Sequence, residues 1–200
     1  MWSNSCFKPH NNRIGFVATG LLMILLASMH SSCNAQQSAK IPVQEFEFIG
    51  FQTQIPTDWN ILKPSSSMRA AQIEIPASRP LELVVFYFGP GQGGPVAANI
   101  ARWQGQFRLI DGKSVQPKVS QFTTAGNFTV NWIELRGDYA RGVGMGPVGE
   151  YQPDQMLIAA ITQTPKGNLY IQLHGQANDV TAHRAAYRAF VEELHPVERR

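Results

Sequence analysis

The segment Leu81–Phe107, LELVVFYFGPGQGGPVAANIARWQGQF, constrains the fold more than any other part of the chain. Its first eight residues are apolar on both pleat faces, which is typical of a central strand covered on both sides. A glycine-rich turn follows, and apolar residues then recur at helical spacing, at Val96, Ile100, Trp103 and Phe107. The segment therefore predicts a buried strand that turns sharply into an amphipathic helix.

The turn contains a match to a cofactor-binding motif. Gly89, Gly91 and Gly94 satisfy G-x-G-x-x-G between a strand and a helix, as dinucleotide-binding sites do. Such sites hold a pyrophosphate with backbone N–H groups, and Pro90 and Pro95 have none to donate. The parallel apolar strand that should follow the helix is replaced by a polar stretch. We therefore predict no cofactor and interpret the glycines as the means of a tight turn. The alternative is an enzyme or ligand-binding protein that holds an anionic small molecule at this turn.

Residues 1–35 have the features of a secretory signal. Lys8 and Arg13 precede an apolar run from Ile14 to Met29, and small and polar residues follow it. A positive segment, an apolar run of this length and a small-residue end are typical of a signal peptide. The run is also shorter than a membrane-spanning helix usually needs. The sequence therefore predicts export to the periplasm or beyond.

Two processing routes remain open at the end of this signal. Cys33 follows the apolar run directly, where a bacterial lipoprotein has its lipidated cysteine. Ser31 and Ser32 suit such a cleavage site, whereas His30 stands where leucine is usual. A lipid at Cys33 would hold the domain on a membrane surface. Cleavage after Ala35 would instead remove the cysteine and leave a soluble secreted protein.

The charge of the mature chain is close to neutral. The formal net charge is +3, and the signal contains Lys8 and Arg13 but no acidic residue, so the charge falls to +1 after cleavage. Nucleic-acid binding favours a concentrated basic surface, and we therefore predict no nucleic-acid partner. Cys6 also lies in the signal, so an intramolecular disulfide is excluded in the mature chain. We interpret four arginines as scattered surface charges: Arg102, Arg108, Arg136 and Arg141.

No catalytic or metal-binding residue is predicted. The histidines outside the signal have no spacing that would place a metal pair on one element: His174, His183 and His195. His174 follows Leu173 in the predicted hairpin, so its side chain lies on the strand face opposite that of Leu173. This placement favours a surface position. The glycine-rich segment Gly142–Gly149 is the best candidate contact surface for a partner, although it is more simply interpreted as a loop between strands.

The pattern along residues 46–196 predicts one α+β domain, preceded by a flexible tether at residues 36–45. About 165 residues are enough to bury a hydrophobic core. Hairpins rather than helical crossovers join the strands, which favours a mainly antiparallel sheet covered by helices. The predicted elements after the tether are a strand at Phe46–Pro56, a strand at Ala70–Ile75, the segment Leu81–Phe107, a bulged strand at Phe128–Leu135, a hairpin at Met156–Leu173 and a helix capped by Asn178 or Asp179 and ended by Pro196.

Four segments resemble the PsbP-like family in their order along the chain. They are IPTDW at residues 55–59, LELVVFYF at 81–88, MLIAAITQTPKGNLYIQL at 156–173 and YRAFVEEL at 187–194. The resemblance implies an α/β/α sandwich and a non-enzymatic binding or assembly factor, and no functional residue is carried over from it. Together with the signal, it predicts a factor of the cell envelope whose partner is another envelope protein. Membrane contact is expected only through the lipid.

Overall fold

The computed structural model describes residues 41–141 and 149–198. The predicted signal, with Cys33, and residues 142–148 of the predicted contact loop lie outside this part of the chain. The described elements are β1 (Val43–Phe48), β2 (Phe51–Pro56), β3 (Asn60–Leu62), β4 (Arg69–Ile75), β5 (Leu81–Tyr87), α1 (Val96–Gln104), β6 (Phe107–Arg108), β7 (Lys118–Thr123), β8 (Thr129–Tyr139), β9 (Gln152–Thr164), β10 (Gly167–Gln176), α2 (Ala177–Glu192) and β11 (His195–Pro196).

A large antiparallel sheet organises the domain. Its strand order is β3-β4-β5-β10-β9-β8-β6, and β7 also pairs with β8. A second, three-stranded sheet has the order β1-β2-β11. Every described strand pair is antiparallel. The predicted α+β class, with a mainly antiparallel sheet covered by helices, is therefore confirmed.

The larger core lies between one face of the large sheet, helix α2 and the small sheet. Alternate residues of β4, β5 and β10 point into it, which explains the period-two pattern of these strands. Tyr187 and Phe190 of α2 are fully buried there, and the Tyr187 hydroxyl donates a 2.9 Å hydrogen bond to the carbonyl of Ile171. The predicted closing helix therefore exists, and its apolar side packs into the larger core.

The smaller core lies on the opposite face, under helix α1. Trp103 and Phe107 pack there against apolar residues of β8 and β9, such as Ile133 and Leu157. Helix α1 has nine residues and is therefore about 14 Å long, whereas neighbouring strands lie roughly 5 Å apart. It contacts β6 and β8, and no other helix within residues 41–141 and 149–198 covers the same face of β4, β5 and β10. The buried strand and helix of Leu81–Phe107 are confirmed, but β5 is covered fully on one face only.

The first predicted strand is in fact a hairpin. The chain reverses at Ile49 and Gly50, whose φ angles are 40° and 80°, and β1 then pairs with β2. Strand β1 begins at Val43, so the last three residues of the predicted tether belong to the small sheet. Those residues are exposed. They belong to the small sheet because they pair with β2, and not because they are buried. A pattern based on apolar residues therefore placed the boundary too late.

Strand β8 has no bulge at the predicted place. Its register with β9 is continuous from Thr129 to Gly137, and the shift lies between Gly137 and Tyr139. The change of apolar phase has another cause, because both faces of the strand are buried. Val130 and Trp132 point into the larger core, whereas the smaller core contains Ile133 and Leu135. Strand β7 was not predicted, because its residues are polar and mostly exposed at the sheet edge.

The N-cap of helix α2 lies two to three residues before the predicted cap. Its N-cap residue is Gln176, which still pairs with Gln155 as the last residue of β10. The strand thus continues directly into the helix, and Asp179 lies in the first turn, where a negative charge is favourable. The helix ends at Glu192, before Pro196, which belongs to β11.

Candidate functional site

A cleft of about 670 Å³ lies beside α1, on the face of the sheet that this short helix leaves open. Side chains from β4, β5, β8, β9, β10 and α1 line it. Its size is within the usual range of small-molecule sites, roughly 300–1,000 Å³. The cleft is therefore the candidate functional site of the described domain.

Aromatic side chains form much of the cleft wall. Phe86 on β5 is opposite Tyr170 on the neighbouring strand β10. The rings of Phe86 and Phe88 stack with their centroids 6.3 Å apart and their planes within 6°. Phe88 is 39% exposed although it also contacts Tyr170, at 5.6 Å between ring centroids. An apolar, partly uncovered surface of this kind is typical of a place where another molecule binds.

The cleft also contains four charged side chains. Arg69 and Glu82 form a salt bridge of 2.6 Å, and Gln72 donates to the same carboxylate at 2.7 Å. Arg102 and Arg141 also line the cleft, and neither forms a salt bridge within the described residues. The cleft therefore holds two positive charges that no acidic side chain of the described domain neutralises.

The four arginines are exposed surface charges as predicted, but two of them are not scattered. The structure brings Arg102 and Arg141 together at one cleft, although they lie on α1 and after β8. Arg108 instead stacks on the ring of Tyr151 at 3.7 Å, and Arg136 pairs with Asp154 at 2.9 Å. The sequence contained one signal of the cleft, since the alternate residues Glu82, Val84, Phe86 and Phe88 mix charged, aliphatic and aromatic side chains.

His174 does not occupy the predicted surface position, because it lines the cleft and is largely buried. Its ring lies 4.2 Å from that of Tyr139 and 6.4 Å from that of Phe107. Burial lowers the pKa of His174 from 6.5 to about 4, so the ring is neutral at pH 7. Its Nε2 atom is buried without a hydrogen-bond partner in the described part of the chain. Burial raises the pKa of Tyr139, and the positive charge of Arg141 partly opposes that rise.

The Gly89–Gly94 turn borders the cleft and is held by side chains of the domain. The Asn99 amide donates to the carbonyls of Gly93 at 2.8 Å and Pro95 at 3.1 Å, and the Tyr170 hydroxyl donates to the carbonyl of Gly94 at 3.0 Å. A Cβ atom at Gly93 would overlap the Tyr170 ring. This packing gives Gly93 a structural role, and the positive φ angles of Gly89, Gly91 and Gly94 suit glycine in a tight turn.

The other residues that the sequence analysis considered do not line the cleft or are buried in the cores. His183 lies on α2 and His195 in β11, so the structure does not bring them to His174. Within residues 41–141 and 149–198, no three His, Cys, Asp or Glu side chains lie together as metal ligands would. In the same ranges no helix has the length and apolar character that crossing a membrane requires. Three tryptophans are core residues: Trp59, Trp103 and Trp132.

No family model matches the chain, and no curated protein matches it in sequence. Cyanobacterial PsbP (CyanoP) from Synechocystis sp. PCC 6803 is similar in structure, with a TM-score of 0.52 and 11% identity over 80% of this chain and 96% of that one.

Two further solved structures are similar at lower scores. LpqN, which is involved in cell envelope biogenesis of Mycobacterium tuberculosis, has a TM-score of 0.47 and 18% identity over 78% of this chain and 92% of that one. PA94, a protein of unknown function from Pseudomonas aeruginosa, has a TM-score of 0.42 and 18% identity over 78% and 99%. The likeness to PsbP confirms the predicted architecture: the chain has the PsbP-like α+β fold.

Proposed function

We propose that the chain is an exported, non-enzymatic binding or assembly factor of the cell envelope, which a lipid at Cys33 holds on the membrane surface. The observation that carries the binding role is the cleft beside α1, which exposes aromatic side chains and two arginines that have no acidic partner within the described domain. A site of this kind suits recognition of another molecule, because aromatic surface and charged side chains are exposed together in one concave place.

The proposal of export rests on the sequence of residues 1–35. The positive segment, the apolar run and the small residues at Ser31 and Ser32 support cleavage before Cys33. The lipid would leave the folded domain outside the bilayer, since a single acyl-type anchor binds only at the membrane surface. The cleft would then be available to a partner or ligand in the envelope.

Processing of the N-terminus tests this proposal. We expect the full chain, expressed in a bacterium that processes lipoproteins, to be recovered with the membranes and to begin at a Cys33 that carries a lipid mass. Cys33→Ser should abolish the lipid mass and move the protein to the soluble fraction. Mass spectrometry of the N-terminal peptide, combined with membrane fractionation, measures both effects.

Cys6→Ser is the matched control, because Cys6 belongs to the segment that cleavage removes. It should leave the mature N-terminus and the membrane fraction unchanged. A wild-type protein that begins at unmodified Gln36 would rule out the lipid and keep export. An uncleaved chain in the cytoplasm would contradict the proposed function.

A further inference from the structure

We infer that the cleft binds a small anion with a flat apolar body, whose charged group lies between Arg102 and Arg141. This inference rests on the proposed binding function and names the class of ligand. It concerns the cleft beside α1 rather than the backbone of the Gly89–Gly94 turn.

The charges of the cleft favour an anion. The carboxylate of Glu82 already accepts from Arg69 at 2.6 Å and from Gln72 at 2.7 Å, so that pair has no net charge to offer. Arg102 and Arg141 remain without an acidic partner in the described domain. A guanidinium presents several N–H donors in one plane, which match the oxygens of a carboxylate or a phosphate.

Arg102 is already oriented on its helix. Its guanidinium donates a 2.6 Å hydrogen bond to the Oδ1 atom of Asn99, which lies one turn earlier in α1. Asn99 is buried, and its amide is fixed in turn by the carbonyls of Gly93 and Pro95. The arginine therefore keeps further donors for a ligand and loses less conformational freedom when it binds one.

The wall of the cleft favours a flat apolar body on that anion. The stacked rings of Phe86 and Phe88 and the adjacent ring of Tyr170 offer extended aromatic surface. Such faces bind planar groups by stacking and by removing apolar area from water. The volume of about 670 Å³ is sufficient for a small molecule of this kind.

Three naphthyl compounds test the inference, with the full chain in detergent micelles and isothermal titration calorimetry. We expect 1-naphthyl phosphate and 1-naphthoate to bind at least about tenfold more tightly than neutral 1-naphthol, because a hydrogen bond to a charged group contributes roughly that factor or more. The relative affinities of the two anions distinguish a phosphate ligand from a carboxylate ligand. Partition into the micelle cancels between variants measured with the same compound, and titration of each compound into protein-free micelles corrects the comparison between compounds.

The double variant Arg102→Gln/Arg141→Gln should bring the affinity for both anions to within about threefold of that for 1-naphthol. Lys63→Gln/Arg79→Gln is the matched control, because it removes the same charge from exposed residues that do not line the cleft. Gln172→Trp, which fills the centre of the floor, should abolish binding of all three compounds.

The outcomes separate this inference from the proposed function. Equal binding of the anions and the neutral compound, unchanged in the arginine double variant, would overturn the anionic class and keep the cleft as a binding site. Binding that survives Gln172→Trp would place the compounds elsewhere and overturn the assignment to the cleft. No binding of any compound, with Cys33 lipidated as expected, would also overturn the ligand class while export remains supported.

Discussion

Gly93→Ala is expected to lower the free energy of unfolding by about 3 kcal/mol. Gly93 has a φ angle of 87°, in which an L residue is strained by roughly 1–2 kcal/mol. The new Cβ atom would also overlap the phenol ring of Tyr170, which is buried and cannot swing away. Overpacking of this kind costs roughly 1–3 kcal/mol more. Urea denaturation followed by tryptophan fluorescence measures the effect.

Gly91→Ala is the matched control for this substitution. Gly91 also has a positive φ, of 71°, but no atom lies within 4 Å of the position that its Cβ would occupy. It should therefore cost only the backbone strain of about 1 kcal/mol. Equal losses in the two variants would mean that contact between the turn and Tyr170 does not fix the turn, contrary to the structural role assigned to it.

His174→Phe should remove a large part of the acid sensitivity of the domain. The pKa of His174 is about 4 in the folded protein and 6.5 as the ordinary value. Between these two pH values the unfolded chain binds a proton that the folded chain does not, so stability falls as the pH falls through this window. The whole effect is up to about 3 kcal/mol, and it is complete below pH 4.

Phenylalanine suits this position because Phe107 and Tyr139 already contact the His174 ring. It also removes the Nε2 atom, which is buried without a partner in the described domain. The difference in unfolding free energy between wild type and variant should be constant above about pH 6.5 and change in favour of the variant down to pH 4. Parallel stability curves across that window, from urea denaturation at each pH, would contradict the pKa shift.

The sequence predicted the elements whose residues are buried in a regular pattern. The segment Leu81–Phe107 and the hairpin Met156–Leu173 were identified because their apolar positions follow the strand or helix period. Strand β7 was missed because its pairing at the sheet edge leaves its polar residues exposed. The hairpin at Ile49 was missed because no proline or Asn-Gly pair marks that turn.

The cleft could not be predicted, because it arises from the difference between the length of α1 and the width of the sheet. Whether the face of His174 is covered depends on residues such as Tyr139 and Phe107, which are distant in sequence. Arg102 and Arg141 are likewise distant in sequence, and only the folded chain places both at the cleft. Local alternation shows which face a residue occupies, and tertiary structure alone decides what covers that face.

The small sheet contains both the first and the last strand of the described domain. Strand β1 is the first element and β11 the last, and β2 pairs with both. Val43 at the start of β1 lies opposite Pro56, whereas Pro196 of β11 lies opposite Phe51 at the other end of β2. The two chain ends are therefore separated by roughly 17 Å along β2 and about 10 Å across it. A flexible linker of about twelve residues could span that distance, and the chain could be reopened at an exposed turn such as Pro165–Lys166. The topology thus makes the domain a candidate for circular permutation, with both new connections outside the lining of the cleft.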